Sequence, residues 1–201
     1  MKSLALLSSI VAFLFILPTV FAFNFLNEDF NAISSLSFSV THNSSISGYF
    51  YVDTDGVTVT PLFPFGTGLQ VENVSSSLTR IKYDIWVQPY VAPQAYSGNF
   101  FVLKQNESGS LSLNVDVKKF VNFSTVGKLN ASLPFNRVSF VYIPIKNFGN
   151  SRINISITSN ISFLNSTFVD ILPGYEVNFP LLFVSDKLGS SSGNITFSVE
   201  N

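Results

Sequence analysis

Apolar and polar residues alternate along most of this chain. The clearest alternating segments are residues 35–41, 81–87, 110–117 and 153–157. Because successive side chains of a strand point to opposite faces of a sheet, a period of two predicts strands with one buried face. No segment of eleven or more residues shows a helical period. The pattern therefore predicts an all-β chain.

Turn-forming residues separate these segments. Glycine, asparagine and proline stand between them at residues 55–56, 97–98, 109, 147–149, 173–174 and 189. Many short strands with polar connections are typical of an antiparallel immunoglobulin-like β-sandwich. The pattern favours two tandem modules, residues 35–119 and 120–201, after an extended N-terminal tail of residues 23–34. One larger continuous sandwich remains open as the alternative.

The N-terminus has the features of an export signal. Lys2 precedes an apolar stretch, residues 4–17, and a small-residue cleavage site ends at Ala22. This arrangement predicts a signal peptide at residues 1–22. The alternative is a retained membrane anchor, because the apolar stretch nearly reaches the ~20 residues of a spanning helix. After cleavage we expect an extracellular chain with no membrane attachment.

The segment that follows the signal peptide has one apolar face. Even positions between residues 30 and 40 are mostly apolar or small, and the odd positions are mostly polar. Because the segment lies next to a free N-terminus, it is suited to adding a strand to a neighbouring copy. The predicted interface residues are Phe23, Phe25, Phe30, Ile33, Leu36, Phe38 and Val40. The alternative is that residues 35–41 are the first strand of their own sandwich. We expect a chain without residues 23–34 to fold but not to polymerise.

Asn-x-Ser/Thr sequons are frequent. The nine acceptors are Asn43, Asn73, Asn106, Asn122, Asn130, Asn154, Asn160, Asn165 and Asn194. Each needs an accessible asparagine, so we expect N-linked glycans on a secreted surface, the alternative being chance matches in an Asn- and Ser-rich chain. Asn154 and Asn160 should leave one strand face. Five sequons have a large apolar middle residue that should point to the core: Val74, Phe123, Ile155, Ile161 and Ile195.

Composition excludes several classes of partner. The chain has 11 Lys and Arg, 12 Asp and Glu, one His and no Cys. A near-neutral chain has no basic surface for nucleic acid. Without cysteine there is no disulfide framework and no thiolate metal site. We therefore expect no nucleic-acid partner, no metal and no cofactor, and we expect the 22 Phe residues to supply much of the core.

Catalytic motifs are incomplete. A Ser/His/Asp site would have to use His42, which we expect in a loop. The segment 53–56, Asp-Thr-Asp-Gly, departs from both the Asp-Thr-Gly of acid proteases and the EF-hand register. It predicts a hairpin turn between strands 48–52 and 57–60. A glycosidase with paired carboxylates remains open, because the acids are scattered. We expect no enzyme activity.

Two aromatic groups are candidates for contacts. Trp86 falls on the polar face of its predicted strand, which favours an exposed contact with a partner chain or a sugar. The alternatives are a bulge or a sheet buried on both faces. Tyr49 and Tyr51 share one face of a neighbouring strand, where core packing is the favoured interpretation.

A family resemblance follows from these features together. The signal peptide, the segment beginning Phe23-Asn24-Phe25, the sequons and the strand-rich units resemble the thread-type surface filaments of thermoacidophilic archaea. The resemblance implies a homopolymer whose glycosylated subunits are joined by donor strands at the cell surface. The second module departs from the single head of that family. Alternatives are a surface-layer-associated or adhesive glycan-binding module and an extracellular hydrolase.

Overall fold

The computed structural model describes residues 23–160, 167–184 and 188–200, so the predicted signal peptide lies outside the described residues. The described residues form strands and no helix, and no helix among them could span a membrane. The first strands are β1 (Phe25–Leu26), β2 (Ala32–Ile33), β3 (Ser35–Val40), β4 (Ser44–Val52), β5 (Thr58–Leu62), β6 (Gly66–Ser75), β7 (Leu78–Val87), β8 (Ala95–Lys104) and β9 (Glu107–Val117). The others are β10 (Phe123–Thr125), β11 (Val138–Asn147), β12 (Ile153–Ser159), β13 (Thr167–Ile171), β14 (Glu176–Val184) and β15 (Ile195–Glu200).

The first nine strands form the first sandwich. Sheet 1 has the order β2-β1-β4-β7-β6, and sheet 2 has the order β3-β9-β8-β5. Neighbouring strands are antiparallel except β3, which runs parallel to β9. The orders β1-β4-β7-β6 and β5-β8-β9 are those of an immunoglobulin-like sandwich. The predicted fold class is confirmed.

Strict alternation builds the core of the first sandwich. On β7, Ile81, Tyr83 and Ile85 are buried, and the residues between them are exposed. Across the two sheets the ring of Phe50 lies 5.3 Å from that of Phe100. Each fully buried aliphatic or aromatic side chain contributes about 1.5–3 kcal/mol. The period-two pattern therefore positions this core as the sequence predicts.

The remaining strands form a second sandwich. Sheet 3 has the order β10-β11-β14, and sheet 4 has the order β13-β12-β15. Its buried apolar residues are six isoleucines: Ile143, Ile145, Ile153, Ile155, Ile157 and Ile171. Around them lie apolar residues that are only partly buried, among them Phe123, Phe197 and Val199. This core is smaller and more open than that of the first sandwich.

A loop of the second sandwich holds the connection between the two. The connecting residues are 118–122. The backbone N–H groups of Phe148 and Gly149 both donate to the carbonyl of Asn122, at 2.8 and 3.1 Å. A Cβ at Gly149 would lie 2.4 Å from the carbonyl oxygen of Phe120, so only glycine fits there. The connection is therefore anchored to the second sandwich by main-chain bonds.

The segment 53–56 does not form the predicted hairpin. It connects β4 in sheet 1 to β5 in sheet 2, and these strands do not pair with each other. The side chain of Asp53 accepts hydrogen bonds from Asn24, and Asp55 pairs with Lys104 at 2.7 Å. Gly56 has a φ of 62°, as expected for a turn. The turn prediction holds, but the chain crosses between sheets because both strands have other partners.

Candidate subunit interface and glycan-bearing surface

The N-terminal segment lies within the first sandwich of its own chain. Phe23 and Phe25 are 4% and 5% exposed, and β1 pairs with β4. Gly109 makes room for them, because a Cβ there would lie 3.0 Å from the Phe23 ring and 3.4 Å from the Phe25 ring. The expected extended tail of residues 23–34 is therefore wrong for the single chain, since two buried aromatic rings anchor it.

The predicted donor segment is also interrupted. The side chain of Asn27 accepts hydrogen bonds from the N–H groups of Asp29 and Asn31, which forms a tight turn between β1 and β2. Phe30 has a φ of 59°, is 55% exposed and stacks on Tyr51 with ring centroids 4.8 Å apart. The prediction that Phe30 continues the alternating strand is wrong, because this turn takes it out of the strand.

The rest of the segment follows the predicted alternation. On β3 the residues alternate between exposed and partly buried, and Leu36, Phe38 and Val40 pack against the core of the first sandwich. Ile33 of β2 is partly buried against the same core. Because β3 and β2 lie at sheet edges, each pairs with only one other strand. The segment is thus the outermost part of this sandwich.

A short loop joins the segment to the rest of the chain. Between β3 and β4 only Thr41, His42 and Asn43 intervene. Asn43 has a φ of 54°, a left-handed conformation that is uncommon outside glycine. His42 accepts a hydrogen bond at Nδ1 from the N–H of Tyr90, at 3.2 Å. Short hinge loops favour strand exchange between copies.

The second sandwich has an open strand position. Sheet 4 ends at β15, whose second edge has no partner strand among the described residues. In an immunoglobulin-like sandwich this edge is covered by the seventh strand. Phe197 and Val199 of β15 are only partly buried. Unpaired N–H and C=O groups beside a half-covered core form an acceptor for an added strand.

Sheet 3 has an apolar outer face. Val138, Phe140 and Tyr142 of β11 are 60%, 61% and 60% exposed. Their partners on β14 are Val184, Leu182 and Pro180. Neither strand contains a sequon acceptor. Exposed apolar side chains in a continuous patch mark an interaction surface.

Eight of the nine sequon acceptors lie in described residues, and all eight are exposed. Asn165 lies outside the described residues. The middle residue Ile155 is fully buried, and Phe123 and Ile195 are partly buried, as predicted. Ile161 lies outside the described residues. Val74 is 53% exposed, so that prediction is wrong, because β6 has a register shift between Asn73 and Ser75.

Sheet 4 carries a group of sequons. Asn154 is exposed on β12 between the buried Ile153 and Ile155. Asn160 follows the end of β12 and bonds to Asn194: its N–H donates to the Asn194 carbonyl at 3.2 Å, and its Oδ1 accepts the Asn194 N–H at 2.7 Å. The Nδ2 that would carry a glycan takes no part in these bonds. Asn154 lies near the start of β12 and Asn160 just after its end, so glycans here would cover both ends of sheet 4.

The two tyrosines are not core residues. Tyr49 and Tyr51 lie on the outer face of sheet 1, opposite Lys82 and Arg80 of β7. The expectation of core packing is wrong because Phe50 and Val52, between and after them, take the inward positions. Trp86 is on the same outer face.

The candidate catalytic groups are His42 and the acidic side chains of the described residues. No three His, Asp or Glu side chains there gather as a metal site. Hydrogen bonding and the charge of Lys104 lower the pKa of Asp55. His42 has aromatic neighbours, with Phe120 and Tyr90 centroids at 5.2 and 6.1 Å. These contacts are those of packing groups.

Sequence reasoning missed two features of these surfaces. It did not find the open edge of β15, because an unpaired edge depends on which strands meet. It also did not single out Gly66 and Gly68, which face outward beside Trp86 and Asp84. Their i, i+2 spacing on a strand was the available signal.

Comparisons with known proteins add only distant likenesses. No family model and no curated protein matches the chain. An endo-fucoidan hydrolase from glycoside hydrolase family 107 is 13% identical over 85% of this chain and 28% of its own, with a TM-score of 0.34. The chain thus spans under a third of that hydrolase. A titin fragment is 12% identical over 83% of this chain and 94% of its own, with a TM-score of 0.37. Neither likeness bears on what the chain does.

Proposed function

We propose that this chain is a glycosylated structural subunit of an extracellular filament, in which the N-terminal segment of one copy is donated to the next. The observation that supports this most is the open strand position beside β15 in the second sandwich. A strand placed there would pair its main chain with β15 and cover Phe197 and Val199.

The N-terminal segment is the donor in this proposal. It comprises residues 23–40, it has alternating apolar residues, and it leaves through the short loop before β4. Without it the first sandwich keeps β4 to β9, six strands. Among the residues that the structure describes, the second sandwich also has six strands, β10 to β15, so a unit of that size already occurs in this chain.

In strand donation, the apolar side chains of the N-terminal segment leave one buried site and enter another. Withdrawing the buried Phe23 and Phe25 would forfeit roughly 3–6 kcal/mol at ~1.5–3 kcal/mol each, and the partly buried Leu36 and Phe38 would add to this loss. Burial of the same side chains in the open position must contribute a similar free energy. The net free energy of assembly is therefore the difference between the two sites. A segment that is already packed in its own sandwich dissociates slowly. Assembly is therefore expected to be limited by release of the segment.

The product of this exchange is an open polymer. Each copy offers one segment and accepts one, so contacts run head to tail and form a fibre where the rotation does not close. The apolar face of sheet 3 supplies further contact area between copies, and the glycans of sheet 4 keep the opposite surface in solvent. The partners are copies of the same chain.

The chain acts without catalysis in this proposal. His42 has a structural role, because its ring accepts the Tyr90 N–H and packs beside Phe120. No metal or cofactor is needed. Replacing His42 with Ala is expected to leave secretion intact.

Introduced cysteine pairs test the proposal, because the chain has no cysteine of its own. Ser37→Cys with Asn114→Cys joins neighbouring positions of β3 and β9. A disulfide within one chain at this pair shows that the segment is packed in its own sandwich. Ser35, Ser37 or Ser39 changed to Cys is also paired with Ser198→Cys on β15, a position outside any sequon. Filaments are oxidised, dissolved in denaturant and separated by size. Donation predicts covalent ladders from a β15 pair.

The controls decide between the acceptors. Ladders from the Asn114 pair would show donation into the first sandwich of the next copy. The acceptor would then be the first sandwich and not the edge of β15. Filaments in which the Asn114 pair closes only within single chains, with no ladder from any β15 pair, would refute strand donation. Secreted protein that never forms filaments in the native host would refute the function itself.

A further inference from the structure

The outer face of sheet 1 brings aromatic and polar side chains into ordered rows. Its central strand, β7, lies between β4 and β6. In the first row Trp86 lies between Ser45 and Gly66, and in the second Asp84 lies between Ser47 and Gly68. The third row is Tyr49, Lys82 and Gln70, and the fourth is Tyr51, Arg80 and Glu72.

The first two rows leave the indole uncovered. Trp86 is 48% exposed, and its neighbours across the sheet are a serine and a glycine. A Cβ placed on Gly66 would meet no atom within 4 Å. In the next row the hydroxyl of Ser47 donates to Oδ1 of Asp84 at 2.5 Å and holds the carboxylate in place. The result is a flat aromatic platform beside a fixed hydrogen-bond acceptor.

The other two rows form a shallow hollow. It has a volume of about 180 Å³ and is lined by Tyr49, Gln70, Glu72, Arg80 and Lys82. Arg80 forms an ion pair with Glu72, so the planar guanidinium and carboxylate hold each other in position. These groups offer both donors and acceptors to a ligand.

The size and charge of this face indicate the class of ligand. From Arg80 to Trp86 the strand runs about 20 Å at ~3.3 Å per residue, which is room for a short oligosaccharide. The cations Arg80 and Lys82 are matched by the anions Glu72 and Asp84, and Glu28 adds negative charge near Tyr49, so the face disfavours an anionic ligand and suits a neutral one. A sugar ring presents C–H groups that pack on an indole face, and hydroxyls that bond to carboxylate and amide groups.

We propose that the outer face of sheet 1 binds a neutral saccharide, with Trp86 as the stacking platform and the polar groups of β6 and β7 as hydrogen-bond partners. Strand addition is not available here, because β7 already pairs with β4 and β6. The face is also too polar to be a hidden core. At its Tyr51 end this face contacts the N-terminal segment, because Phe30 stacks on Tyr51, whereas Trp86 lies at the other end.

Two sources of saccharide share this chemistry. The sequon acceptor Asn43 adjoins the Trp86 end, since its N–H donates to the carbonyl of Gln88 at 3.3 Å. A glycan of this protein, on the same or another copy, could therefore occupy the face. A foreign polysaccharide is the other source, and the experiment separates them.

Trp86 itself reports binding, because the chain has one tryptophan. The full mature chain, made without glycans, is titrated with N-glycans released from the native protein and with a panel of neutral and anionic polysaccharides. Tryptophan fluorescence measures saccharide binding by the wild type, and calorimetry measures binding by all variants. We expect saturable binding of a neutral saccharide. Trp86→Ala should weaken it about tenfold or more, and Gly66→Val, which fills the gap beside the indole, should also weaken it. The control Phe168→Ala, an exposed aromatic on sheet 4, should bind as wild type.

The pattern of binding identifies the source. Binding of released N-glycans alone assigns the site to the protein's own glycans, and Asn43→Asp in the native glycoprotein should then expose Trp86 to iodide quenching. Binding of a foreign polysaccharide assigns an external ligand. Either result supports the site. The inference is overturned if no neutral saccharide binds, or if Trp86→Ala and Gly66→Val both bind as tightly as wild type.

Discussion

Asn150 forms hydrogen bonds to Phe120 with both its side chain and its backbone. Its Oδ1 accepts the Phe120 N–H at 2.7 Å, and its own N–H donates to the Phe120 carbonyl at 3.0 Å. Its Nδ2 also donates to the carbonyl of Lys118 at 2.9 Å. Asn150 itself is 1% exposed, so its side chain is buried between these partners. One buried side chain thus fixes the connection between the two sandwiches.

Asn150→Ala should loosen that connection. The substitution removes one hydrogen bond from the Phe120 N–H and one from the Lys118 carbonyl, each worth about 0.5–1.5 kcal/mol because both residues are exposed. We expect a lower melting temperature and faster hydrogen exchange at Phe120. Asn178→Ala, an exposed position on β14, is the control. Unchanged exchange at Phe120 in Asn150→Ala would show that the main-chain bonds alone hold the connection.

Gly109→Ala should release the N-terminal segment. The added methyl group would press on the Phe23 ring, and overpacking costs typically about 1–3 kcal/mol. If release limits assembly, the variant should have a less stable monomer but form filaments faster. Light scattering and thermal unfolding measure the two effects.

Gly127→Ala is the matched control, because a Cβ there meets no atom within 4 Å. It should change neither monomer stability nor assembly. A destabilised Gly109→Ala monomer that assembles no faster than wild type would show that release of the segment is not the limiting step. Removing residues 23–34 is a poorer test, since it also deletes the buried Phe23 and Phe25.

Much of the fold follows from local patterns, and the exceptions have physical reasons. Strands β7 and β12 could be predicted because alternation over several residues leaves one choice of buried face. The pairing of β4 with β7 rather than β5 could not, because register and sheet membership depend on distant segments. Tyr49 and Tyr51 were misplaced for a related reason. In the run from 49 to 52 both parities are apolar or aromatic, so alternation does not say which face is buried.

The candidate sites were predictable only in part. Sequons can be read directly from the sequence. The exposure of Asn154 follows from its position between two inward isoleucines. The N-terminal segment was found by its alternation, but the sequence could not show that Phe23 and Phe25 already have a place in their own chain. That fact depends on Gly109, which lies more than eighty residues away and looks like an ordinary turn residue.

Native protein should carry glycans at the exposed sequons. Asn154 and Asn160 are exposed, and the Asn160 Oδ1 is bonded to Asn194 while Nδ2 is left for the sugar. Intact mass spectrometry should give a mass above that of residues 23–201. Asn154→Asp and Asn160→Asp should each remove one glycan mass, and Asn178→Asp, outside any sequon, should remove none. A native mass equal to the bare polypeptide would exclude glycosylation.

Tyr83 should make the protein sensitive to alkali. Burial, and secondly the charge of Glu28, raises the pKa of Tyr83 to about 12, against about 10 in an unfolded chain. Between these values the unfolded state loses the proton and the folded state keeps it. Stability is therefore fully present below about pH 10 and falls as pH rises toward 12. The pKa of Tyr49 is also raised, chiefly by Glu28, and adds to the same slope. Urea midpoints measured from pH 8 to above pH 12 should decline less in Tyr83→Phe than in wild type. Tyr142→Phe, at an exposed position, should decline as wild type, and equal slopes in all three proteins would refute the assignment to Tyr83.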